Sequence, residues 1–174
     1  MEFSIDKSLQ ILERTPTVLY HLLNGISTDW TQANEGDETW NAFDVIGHLI
    51  HGDKTDWLSR TEQILSDEPD KKFTSFDRFA QFENSKGKNL EQLLIEFSEI
   101  RIANIKRLRD LKITDKDLQK TGIHPTFGEV TLSQLLSTWV VHDLDHISQI
   151  SRVMAKQYKE QTGPWIAFLK ILKQ

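Results

Sequence analysis

Apolar residues recur at intervals of three and four through four long stretches of this chain, and the few glycines and prolines fall between them. That spacing predicts amphipathic helices, and no convincing two-residue alternation of a half-buried strand is present. The first stretch runs from about Ile5 to Leu23, where Thr15-Pro16 forms an internal cap and first-turn proline that kinks or splits it. After a polar loop from Thr28 to Thr39, a second helix is expected from Asn41 to about Leu65, opened by a capping arrangement of Asn41 and Asp44. Phe73, Phe76, Phe79 and Phe82 then recur every third residue in a segment that reads as a short helix or a packed connection, serving as core or lid. The third helix reads from Leu90 to about Leu111 and the fourth from Leu132 to about Tyr158. Between them Thr121 to Gly128 carries the Gly and Pro of turn chemistry, and a short helix after Gly163-Pro164 closes the chain. Four helices with connections of a dozen or more residues make an all-α four-helix bundle with crossover connections, a single domain over 1–174.

The fourth helix carries the chemistry. Its inward seam is Leu135, Trp139, His142, His146, Gln149 and Val153, while a parallel seam of Leu132, Leu136, Ile147, Ile150 and Met154 stays apolar. Two imidazoles and an amide thus stand where apolar side chains belong, and an unpaired buried polar group costs about 1–3 kcal/mol. Histidines at i and i+4 share a helix face and can reach one point in space, which is a metal-ligand spacing. The alternative is that ordinary hydrogen bonds satisfy them.

A metal needs a third ligand from another helix. His48 and His51 are the candidates, and periodicity does not choose between them, because the strongest apolar stripe there is Phe43, Ile46, Ile50 and Trp57. His21 and His124 lack such a context and read as surface or loop residues. Gln149 is a candidate for holding a water or a substrate carbonyl, or for satisfying a buried group. Asp143 and Asp145 are placed by helical angle toward solvent or a neighbouring helix rather than toward the histidines. Trp57 and Trp139 read as core, with a cavity wall as the alternative.

Composition narrows the function. The chain has no cysteine, which removes disulfides, thiolate metal sites and a protein-borne thiol nucleophile. A net charge of −5 with interspersed signs offers no basic stripe for nucleic acid; Lys71-Lys72 and the run from Arg101 to Arg109 read as solvated helix faces. The opening residues lack a secretory pattern and no apolar run reaches membrane-spanning length, so a cytoplasmic protein with no membrane partner is expected. Two other metal architectures fit poorly. His142-Asp-x-x-His146 is one methylene short of the zincin motif and has no sheet to bind peptide, and no histidine follows a glutamate by three residues as a di-iron carboxylate site requires.

Trp40 followed eight positions later by His48, with His142-x-x-x-His146-x-x-Gln149 on the last long helix, resembles the DinB-like metal-binding four-helix bundles. The tail, Arg152-Val-Met-Ala-Lys-Gln-Tyr158 and then Gly163-Pro164-Trp165, is similar to one branch of that family. The resemblance implies a triad of His48, His142 and His146 on a divalent ion, zinc or nickel, with open positions for water, and leaves His51 as a neighbour. It also implies a metal-dependent hydrolase, or a transferase using a low-molecular-weight thiol, acting on a small molecule. The alternative is a non-catalytic, stress-related ligand-binding or scaffold protein with a structural or vestigial metal site. The outer apolar faces leave room for a homodimer.

Overall fold

The computed structural model describes residues 2–173. The first apolar stretch is split, as Thr15-Pro16 requires, into α1 (Ile5–Leu12) and α2 (Thr15–Leu23), and a short α3 (Thr28–Gln32) follows. The second stretch is also two helices, α4 (Ala42–Thr55) and α5 (Trp57–Leu65), broken at Asp56, whose backbone lies at φ −115° and ψ −79°. This break corrects the expectation of one helix to Leu65. After α6 (Ala80–Asn84), the long helices α7 (Leu90–Asp110) and α8 (Leu132–Lys156) complete a bundle whose four arms are α1–α2, α4–α5, α7 and α8. Single turns of 3-10 helix over 163–167 and 170–173 end the chain.

Capping decides where the long helices begin. Asn41 with Asp44, Asn89 with Gln92 and Thr131 with Gln134 each form a reciprocal capping box, so two donors at each helix start are satisfied within the chain. The loop before α4 is pinned to α8 by Glu35, which pairs with Arg152 and Lys156 and whose carboxyl is lowered to about 2, chiefly by the hydrogen bond from Arg152.

The turn segment holds more structure than its glycines and proline suggest. β1 (Thr121–His124) and β2 (Gly128–Thr131) pair antiparallel, and Ile123 exchanges backbone hydrogen bonds with Lys71 and Phe73. Strands of four residues are too short to show alternation, so a hairpin stands where the sequence suggested a turn alone. Gly122 is required there, because a Cβ would stand 2.4 Å from the Phe73 ring. Phe73 is buried, Phe76 is half-buried, and Phe79 and Phe82 are largely exposed.

The apolar core comes in two blocks. One gathers Leu9, Leu12, Trp57, Ile105, Leu135 and Trp139; the other gathers Leu19, Leu49, Ile50, Leu94, Phe97 and Ile150. On α4–α5, α7 and α8 alike, the chain passes from one block to the other through a polar residue, namely Asp53, Arg101 and Asp143. A polar layer therefore crosses the middle of the bundle. Among the described residues, no helix is long and apolar enough to cross a membrane.

Candidate metal centre

Two buried clusters share the polar layer. In the first, Arg101 is 1% exposed and lies between Asp53 and Asp143. Its Nε and Nη2 donate to Asp53 at 2.7 and 3.0 Å, Nη1 and Nη2 donate to Asp143, and Nη1 also donates to the carbonyl of Leu12 at 3.0 Å. Burial alone would pull this guanidinium down, but the two carboxylates hold it well above its ordinary value. Arg101 is therefore not on a solvated face, which corrects the reading of the 101–109 run. Asp143 does contact a neighbouring helix, and Asp145 is exposed.

The second cluster is His48, His142 and His146. The Nε2 atom of His142 lies 3.2 Å from that of His48 and 3.0 Å from that of His146. Their potential ligand atoms all fall within 4.8 Å of one another. Helix α4 is buried on every side from Val45 to Ile50, and His48 within it is 6% exposed. His51, one turn on, lies half-exposed against Phe76 at 4.8 Å and outside the cluster. Rings hold the histidines in place: Trp40 lies 4.8 Å from His48, and Trp57 lies 5.0 Å from His142 while stacking on Trp139 at 6.1 Å. His21 is exposed.

Hydrogen bonding within the protein does not satisfy this cluster. The Nδ1–H of His146 donates to Gln149 Oε1 at 2.7 Å, which leaves its Nε2 as a bare lone pair. A proton on His142 Nε2 can serve only one of its two neighbours. The Nδ1 atoms of His48 and His142 are buried with no hydrogen-bond partner, so either tautomer leaves a polar group unmatched. All three rings are held neutral: burial, then neighbouring His146, pushes His48 to about 3 and His142 to about 2, and burial lowers His146. Neutral imidazoles with converging lone pairs are the ligand form for a transition metal, and a tetrahedral ion with bonds of 2.0–2.1 Å sets nitrogens about 3.3 Å apart. In donor type, protonation and spacing the three residues fit a divalent ion.

The cluster opens on a cavity of about 580 Å³. Two facing rows line it, each stepping by four residues: His48, Gly52, Asp56 and Arg60 on α4–α5, and Gln134, Thr138, His142 and His146 on α8. The rows run in opposite directions, because His48 meets His142 and His146 while Trp57 stacks on Trp139. Trp57 is thus both core and wall. His124, expected at the surface, also lines the cavity, carried there by β1, which corrects that reading. Asp56 and Arg60 were missed by the sequence reading, although their continuation of the four-residue step from His48 is a usable signal. Arg78 was missed as well; it lies over Trp40 at 5.8 Å and faces the same cavity.

No curated protein matches the sequence. Among solved structures, YfiT from Bacillus subtilis, described as a probable metal-dependent hydrolase with an unusual four-helix bundle topology, is similar in fold at a TM-score of 0.73 and 21% identity, over 93% of this chain and 91% of that one. The DinB superfamily model matches residues 11–150, a span that begins near the end of α1 and takes in all three clustered histidines. By that match, over most of its length, the chain belongs to the DinB superfamily.

Proposed function

We propose that the protein is a metal-dependent enzyme in which His48, His142 and His146 hold one divalent transition metal, zinc or nickel, and a small, largely apolar molecule is processed in the adjoining cavity. The observation that carries this reading is the position of the triad: its nitrogens converge at a cavity wall, and among the described residues no fourth histidine or carboxylate joins them. A structural site would close its coordination with protein groups, whereas three protein ligands and an open side are the pattern of catalytic sites. When bound, a divalent ion on three neutral imidazoles supplies a full double charge that polarises a carbonyl or lowers the pKa of a nearby water or thiol toward neutrality.

The protein's own groups do the rest. Gln149 accepts the Nδ1–H of His146, fixing the tautomer that leaves Nε2 free, and does so from a neighbouring pocket rather than from the cavity itself. Trp40, Trp57 and Phe76 wall the histidines with apolar surface, which lowers the local dielectric and strengthens electrostatic interactions there. Hydrolysis is the first reading, in keeping with the description of YfiT. Transfer to a low-molecular-weight thiol is the second, and the thiol must come from solution because the chain has no cysteine.

Elemental analysis of untagged protein tests the site. About one transition metal per chain is expected in the wild type, lost in His142→Ala/His146→Ala and in His48→Ala but kept in His51→Ala. Full metal content in the double variant, or loss in His51→Ala with retention in His48→Ala, overturns the assignment. Turnover of ester and amide substrates with and without added thiol then separates hydrolase from transferase.

A further inference from the structure

The end of the cavity away from the histidines is chemically distinct. Along the α4–α5 row, Asp56 stands eight residues beyond His48, about 12 Å at 1.5 Å per residue, too far for direct exchange with a group held by the triad. Gly52, midway, contributes no side chain, and the Trp57 indole lies against its backbone to form the wall between the two ends. The intervening surface includes Trp57, Phe73 and Leu135 and is mainly apolar.

Asp56 is 7% exposed and touches Arg60, one turn on. Asp56 Oδ1 is buried against Arg60 Nε at 2.5 Å, a charge pair out of line for a hydrogen bond, and among the described residues no group donates to the other oxygen, Oδ2. Burial raises the carboxyl to about 6 against the pull of Arg60, in keeping with a carboxylate that lacks donors. Arg60 is otherwise committed, its Nη2 donating to the carbonyl of Thr74 at 3.2 Å and its guanidinium lying over Phe73 at 5.0 Å.

His124 supplies the complementary group. Its Nδ1 accepts the backbone N–H groups of Thr126 and Phe127 at 3.1 and 3.2 Å, so the ring proton sits on Nε2. Burial, then nearby Arg60, lowers this histidine and keeps it neutral. The far end therefore presents an acceptor in need of a donor, a neutral N–H donor, and an ion pair whose charges already cancel.

We propose that this end is a recognition subsite for an uncharged group that both donates and accepts hydrogen bonds, a carboxamide or a hydroxyl, carried on an apolar body about 12 Å from the metal-binding end. A donor from the ligand satisfies Asp56, and an acceptor takes the proton of His124 Nε2. An ammonium would set a second cation beside Arg60, and a carboxylate a second anion beside Asp56, so both charged groups are disfavoured. The subsite determines which molecules enter and how they lie. It is separate from the chemistry at the histidines, though it rests on reading the cavity as a small-molecule site.

The test is a series of phenylalkanes of one chain length ending in a carboxamide, a carboxylate, an ammonium or a methyl group, titrated calorimetrically into chelator-treated, metal-free protein. The carboxamide is expected to bind about ten-fold tighter than the methyl compound and tighter than either charged one. Equal binding of the methyl and carboxamide compounds, tighter binding of a charged one, or no binding of any member overturns the proposal. In Asp56→Leu/Arg60→Leu, which makes this end apolar, the methyl compound should bind as well as or better than the carboxamide; an unchanged preference overturns the proposal too. If that variant does not fold, the wild-type series still decides. Because the titration is done without metal, a failed subsite leaves the metal reading standing, and a failed metal analysis leaves the subsite result standing.

Discussion

The Arg101 cluster and the histidine cluster lie side by side on α4 and α8, the first adding Arg101 from α7; they contain three side chains each and differ in how completely they are satisfied. Every guanidinium nitrogen of Arg101 donates within the protein, to Asp53, Asp143 or Leu12. In the histidine cluster, Nδ1 of both His48 and His142 is unpartnered, and three Nε2 atoms compete for too few protons. His142 and Asp143 are consecutive, so burial alone does not separate an internal strut from a ligand site. Hydrogen-bond completeness does: a satisfied cluster has nothing left to offer a ligand, and an unsatisfied one persists because binding something repays it.

The comparison can be broken first at its strongest point. Arg101→Met leaves two buried carboxylates facing each other and should lower unfolding free energy by about 3–5 kcal/mol in urea titrations. Metal-free His48→Ala should lose no more than about 1 kcal/mol, because it removes a group that was never satisfied. Equal losses in the two variants would erase the distinction.

Gln149 sharpens the contrast at the level of affinity. Gln149→Leu should weaken metal binding about 10–100-fold, measured by competition with a chromogenic chelator, while the metal-free protein unfolds nearly as the wild type does. Unchanged affinity would remove Gln149 from the site.

The smallest effect belongs to the ion pairs of Glu35 near the surface. Its folded-state pKa lies below the ordinary 4.5, so its contribution is present above that value and is lost as pH falls toward about 2. Glu35→Gln should cost about 1 kcal/mol at neutral pH, and the gap from wild type should close between pH 4.5 and about 2. A gap that persists at the acid end would mean that packing rather than charge ties this loop to α8.

What the sequence made legible was whatever repeats within a helix. The pairing of His142 with His146 and the bundle class follow from spacing along one segment. The choice of His48 over His51 did not, because neither lies squarely on the apolar stripe and α4 is buried on every side from Val45 to Ile50, so no single face marks the interior. Arg101 was misread for a related reason: its partners stand 48 and 42 residues away, and a buried arginine among exposed ones has no local mark. His124 looked isolated because the hairpin that carries it has strands too short to announce themselves.

Gly52 gives the cavity a gauge. A methyl group there would meet Nε1 of Trp57 at 3.2 Å, so the indole must yield by a few tenths of an ångström or the methyl is refused. Trp57 in turn stacks on Trp139 and touches His142, so thickening this wall at its midpoint presses on the histidine cluster as well as on the cavity. One missing side chain thereby couples the bore of the cavity to the posture of the histidine cluster, so that a change at Gly52 retunes both.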